Sequence, residues 1–123
     1  MGQSTPYVYE HWLADEARPE QVIRLDSAAW FAWLEAPSTT RFAYPVFDPR
    51  CGYIVGTMTV RKERRKRGGW YWSVYRRAGG RLHKQYLGRS ATVTQARLAA
   101  IAAGLLAEAS LAVSATTPKM PQS

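Results

Sequence analysis

The segment RKERRKRGGWYWSVYRR, residues 61–77, interleaves fixed positive charge with aromatic rings. Guanidinium and ammonium groups neutralise phosphate oxygens, and Arg forks also reach base edges. Tyr and Trp rings pack on sugars or stack on bases. Twelve of the chain's 17 Lys and Arg fall between Arg61 and Arg97, where Glu63 is the single acid. The rest of the chain sets five Lys and Arg against eight acids and is net negative. Solubility alone does not require such segregation, so it points to a polyanionic partner for one face. A solvated basic face is the plainer alternative. On the first reading Arg61, Lys62, Arg64, Arg65, Lys66 and Arg67 contact phosphates, while Tyr71, Ser73, Tyr75, Arg77, Arg81 and His83 line a groove-facing surface.

Other chemistries lack their residues. The two histidines, His11 and His83, fall on separate elements with no carboxylate pattern around them. Neither a Gly-rich loop before a helix nor a nucleophile elbow occurs, so an enzyme is not expected. No cofactor or metal is expected either. Cys51 is the only cysteine and cannot close an internal disulfide, which suits a reducing compartment. The N-terminus has no basic, then apolar, leader pattern, and no run approaches ~20 apolar residues. A cytoplasmic protein with no membrane segment is the expectation.

These residues need elements to hold them. At 123 residues with 46% apolar content, the chain can bury one core. The spacing predicts a single domain over 1–114, its core at 41–110, followed by a Pro-rich disordered tail over 115–123. Residues 6–13 and 21–25 are strand candidates that could pair as an N-terminal hairpin around the polar turn 15–20. Over 26–37, Ser27 stands at an N-cap position, Trp30, Trp33 and Leu34 make one apolar stripe, and Pro37 ends the helix. Residues 41–47 alternate, with Pro45 restricting them to an edge strand. Residues 53–65 alternate again, and Gly56 marks a bulge or a close approach.

Gly68-Gly69 and Gly79-Gly80 then turn the chain twice, giving strands at 70–77 and 81–88. The segment 90–110 closes the fold as a helix with Thr94 as its cap. Its apolar face is Leu98, Ile101, Ala102, Leu105 and Leu106. The fold class is therefore α+β: a three- to four-stranded antiparallel sheet packed on a C-terminal helix, plus a short N-terminal helix. Strand alternation puts Trp70, Trp72 and Val74 on one face and Tyr71, Ser73, Tyr75 and Arg77 on the other. The pattern alone leaves open which set is inside, with the Trp set the more apolar.

Two resemblances follow from these motifs. GGWYWSVYRR and KQYLGRSATVTQARLAA, within 53–107, look like the arm-type DNA-binding domain of phage and transposon tyrosine integrases, whose fold plant ethylene-response-factor domains share. That likeness implies a sheet placed in the major groove with a helix behind it. WFAWLEAPSTTRFAYP together with GYIVGTMTVRKERRKRGGWYWSVYRRAGGRLHKQYLGRSATVTQARLAAIA, about 30–102, resembles the N-terminal module of some large bacterial LuxR-type transcriptional regulators. The chain carries none of their nucleotide-binding, helical-repeat or helix-turn-helix parts, and it inserts VFDPRC and VGTM around the second strand. The resemblances imply a bacterial setting in transcription control or a mobile element. The expected function is duplex DNA binding. The alternatives are a protein-interaction module for an acidic partner, with an apolar patch near Tyr7, Tyr9 and Trp12, and single-stranded nucleic acid or RNA binding.

Overall fold

The computed structural model describes residues 5–78 and 80–116, with side chains as far as 107. The chain runs β1 (Tyr7–Tyr9), β2 (Trp12–Ala14), β3 (Ile23–Arg24), α1 (Ala28–Glu35), β4 (Arg41–Asp48), β5 (Tyr53–Arg64), β6 (Trp70–Ala78), β7 (Arg81–Gly88), a 3-10 turn at Ser90–Thr92, and α2 (Gln95–Thr116). All seven strands join one sheet in the order β3-β2-β1-β4-β5-β6-β7. Neighbours are antiparallel except β1 and β4, which are parallel.

This overturns the expected three- to four-stranded antiparallel sheet: the sheet is seven-stranded and mixed. The strand expected over 6–13 breaks at Glu10 and His11, where Glu10 takes a φ of 56°. Neither residue is a usual turn former, so the sequence hid the break. The resulting N-terminal strands do not stand apart. They are stitched to β4 through Tyr7↔Ala43 and an Ala43 N–H bond to the Pro6 carbonyl at 2.8 Å.

Pro45 does not make β4 an edge strand, yet its constraint is still obeyed. Backbone N–H groups two residues apart in a strand point the same way, so Ala43 and Pro45 both face β1. Ala43 donates across that seam; Pro45 has no N–H to give. The parallel ladder therefore stops after one register pair.

The C-terminal meander follows the Gly-Gly turns as expected, with Thr59↔Tyr75 and Tyr75↔Lys84 in register. Gly56 fulfils both readings of it. The β4–β5 register slips beside it, from Val46↔Gly56 to Phe47↔Ile54. The Arg76 guanidinium also lies over it, so close that an added Cβ would stand 2.7 Å from Nη1.

Both helices cover one face. Trp30 and Leu34 of α1, Phe42, Val46, Met58, Val60, Trp72 and Val74 of the strands, and Leu98 and Leu105 of α2 are all buried there. Trp30, Trp33, Phe42 and Trp72 form a chain of ring contacts, with successive centroids 5.3–5.8 Å apart. Trp30 Nε1 donates to the Val93 carbonyl at 2.7 Å, and Trp72 Nε1 to Ser90 Oγ at 2.9 Å. The two indoles thus pin the segment between β7 and α2.

Capping sets the helix starts. The Ser27 hydroxyl accepts from the Trp30 N–H at 3.2 Å, and Thr94 Oγ1 from the Arg97 N–H at 3.2 Å. Asp26 adds a second cap to α2, accepting from the Gln95 N–H at 2.9 Å. α2 runs to Thr116, past the start expected for the tail, and 117–123 lie outside the described residues. Among the described residues no helix is long and apolar enough to cross a membrane.

Candidate nucleic-acid interface

The face of the sheet away from the helices is open. Register fixes what stands on it. One row across the strands reads Ala14, Tyr7, Ala43, Thr59, Tyr75, Lys84, and the next reads Arg41, Arg61, Ser73, Tyr86. Beyond them Glu63 pairs with Tyr71. The structure thus resolves the ambiguity between aromatic sets: Trp72 and Val74 are core, while Tyr71 and Tyr75 are half-buried on the open face. Trp70 departs from the expectation. It shares the face of Trp72 but is 52% exposed, lining a hollow with Glu35 and Pro37 at the end of α1.

Glu63 organises the basic end of this face. The Tyr75 hydroxyl donates to its carboxylate, and Lys84 Nζ lies 3.6 Å from its other oxygen. Burial disfavours its charge, but the Tyr75 hydrogen bond, the neighbouring Ser73 and Tyr71 hydroxyls and the nearby Lys84 outweigh that. The carboxyl is held below its usual range. Lys84 is correspondingly held above the usual lysine range by the neighbouring Tyr75 hydroxyl and the Glu63 charge.

Guanidinium groups overlie the rings around this centre. Arg61 covers Tyr75 at 5.3 Å, and Arg65 spans Tyr71 at 4.9 Å and Tyr86 at 5.2 Å. Such cation–π contacts hold flexible side chains over the sheet. The ladder also sets Arg41 directly opposite Arg61, both exposed. Like charges paired across strands disfavour the free fold by up to about 1 kcal/mol, a cost that an anion between them removes.

The expected site residues divide between the two faces. Arg61, Arg65, Tyr71, Tyr75 and Arg77 share the open face, and Ser73 is there too but fully buried. Lys66 and Arg67 are exposed at the hairpin tip, which Arg89 tethers by donating to the Gly68 carbonyl at 3.0 Å. Lys62 and Arg64 alternate to the helix side. There Lys62 Nζ donates to the Ala36 carbonyl at 3.0 Å and closes the end of α1. Burial lowers its pKa, an effect that Glu35 opposes. Arg64 overlies Trp70 at 5.6 Å.

Arg81 and His83 also belong to the helix-side face, because Arg76 pairs with His83 and Ala78 with Arg81. Lys84 and Tyr86 take the open-face positions instead. The signal for this was in the sequence: a two-residue turn between Ala78 and Arg81 forces Tyr75 opposite Lys84. The same unbroken register sets Tyr86 beside Ser73, and a bulge at Leu87 follows, which brings Gly88 beside Trp72.

The Glu63 geometry carries a pH prediction. Its folded pKa lies below the unfolded value of about 4.3, so its stabilisation is complete above that pH and fades as pH falls through the folded value. The Glu63→Gln variant should be about 1 kcal/mol less stable than wild type at pH 7. That gap should close between pH 5 and pH 3, read as urea midpoints. A gap independent of pH would contradict the assignment.

Among the described residues no three His, Cys, Asp or Glu side chains gather to hold a metal ion. Comparison of the chain with protein-family models, with curated proteins and with solved structures found no match.

Proposed function

We propose that this protein binds nucleic acid, duplex DNA first, through the open face of β5–β7 and the basic hairpin between β5 and β6. The observation that carries the reading is the Arg41–Arg61 pair, which no acid bridges among the described residues, standing among tyrosines on an uncovered sheet. Seven strands at ~4.8 Å spacing span roughly 29 Å, whereas a major groove is about 12 Å wide. The whole sheet therefore does not enter a groove. The hairpin tip at 64–70 is narrow enough to do so, with Arg61, Arg65, Lys66, Arg67 and Lys84 on flanking phosphates. The strand–strand–strand–helix order of β5–β7 and α2 is that of the integrase arm, and a setting in transcription control or a mobile element belongs to the same proposal.

Fluorescence anisotropy against a mixed-sequence duplex of about 20 base pairs tests this. With about five to eight phosphates neutralised, log Kd should change with log salt at a slope of about 4 to 7 in magnitude. A slope shallower than about 2 would sink the assignment.

A second reading, a module for an acidic protein partner, is favoured by one feature. Tyr7, Tyr9 and Trp12 form an apolar patch, exposed by 41%, 61% and 39%. It predicts a stoichiometric protein complex that survives nuclease treatment.

A further inference from the structure

Where the β1–β4 ladder stops at Pro45, a trough of about 770 Å³ opens between the strands. Its floor is flat because β4 and β5 supply only Ala43, Pro45 and Thr57 there. Tyr7 and Tyr9 form one bank, and Phe47 and Ile54 close the far end. A second hollow, lined by Tyr7, Tyr9, Trp12, Ala14 and Val22, continues the same surface across β1 and β2.

The trough's neighbours on the other side are cationic. The row through its floor, from Tyr7 to Ala43 and Thr59, continues into Tyr75 and Lys84. Arg41 and Arg61 stand one row away. The one acid on its lining, Glu10, lies at the β1–β2 turn, the end opposite Arg41. One bank thus offers exposed ring faces and the other fixed positive charge, about two or three strand spacings, or ~10–15 Å, apart.

We infer that the trough is a second subsite, which takes the unpaired bases of a single-stranded segment continuous with the bound duplex. The inference rests on the nucleic-acid reading above. A duplex buries its base faces and offers them to no ring, whereas an unpaired strand presents both a charged edge and stackable faces. Aromatic stacking of this kind is indifferent to sequence. Over 43–47 the trough follows about 13 Å of strand at ~3.3 Å per residue, enough for about two nucleotides.

The test compares a blunt duplex of about 20 base pairs with the same duplex carrying about eight unpaired nucleotides, in either polarity, at matched salt. The overhang should tighten binding about fivefold or more in one polarity. Tyr7→Ala/Tyr9→Ala should abolish that gain and leave blunt-duplex affinity unchanged, which also reports an intact fold. Tyr9→Phe should retain the gain, since the ring stacks without its hydroxyl. No gain from the overhang, with blunt duplex still bound, overturns the subsite and spares the parent reading. A gain that survives the double variant also overturns it, as does a concentration-dependent dimer that Tyr9→Ala dissolves. Failure of both probes to bind removes both proposals together.

Discussion

Trp72→Ala should cost about 4 kcal/mol of stability, a large share of the roughly 5–15 kcal/mol that holds a domain folded. The indole is fully buried on β6, beside the edge strand β7, and contacts Phe42 at a centroid distance of 5.7 Å. Its removal leaves a cavity between β6 and the helices that rigid neighbours cannot close. It also strands Ser90 Oγ, which loses its 2.9 Å donor from Nε1. That bond fastens the turn after β7, so α2 loses an anchor as well as a packing partner. Trp72→Phe separates the two losses. It keeps most of the apolar volume but not the donor, and should cost about 2 kcal/mol. Urea unfolding of the two variants measures both values. Equal losses would mean that the hydrogen bond, not the packing, is what the core needs.

The other large effect concerns which face a cation stands on. Arg61→Ala/Arg65→Ala removes two open-face guanidiniums and should lower the salt slope by about 2. At 0.15 M salt that corresponds to roughly thirtyfold weaker duplex binding. Lys62→Ala/Arg64→Ala removes the same charge from the same strand, but on the helix side. It should leave the slope nearly unchanged and cost about 1 kcal/mol of stability instead, through the lost Lys62 contact with the Ala36 carbonyl. The two pairs carry equal charge within one five-residue stretch and stand on opposite faces of the sheet. Equal loss of binding in both would mean adhesion to a charged loop rather than recognition by a face.

This contrast marks how far the sequence was legible. Local signals with a fixed physical meaning carried through: Ser27 and Thr94 as caps, Gly68-Gly69 as a turn, Gly56 as a bulge and close approach. The non-local seam did not. Nothing near Tyr7 announces that it will lie beside Ala43, and Glu10 accepts a positive φ without being a glycine. The site was half legible for a similar reason. A basic run shows its composition at a glance, yet only alternation and register assign each residue a side. Charge alone groups Arg61 and Arg65 with Lys62 and Arg64, and only parity separates them. Lys84 and Tyr86 carry no basic or aromatic cluster of their own, and only the register set across the Ala78–Arg81 pair brings them to the open face.

The seam between β1 and β4 bears on how the molecule is made. The first strands leave the ribosome well before Ala43, the residue that gives them a place in the sheet. Until then, three short strands hold hydrophobic side chains such as Val8 and Leu13 with no core to enter. The meander from β4 onward closes through tight turns and can form first. The N-terminal strands then dock onto a finished edge, and with them the tyrosine bank of the trough comes into being. Assembly of the fold and assembly of that surface are thus the same late event.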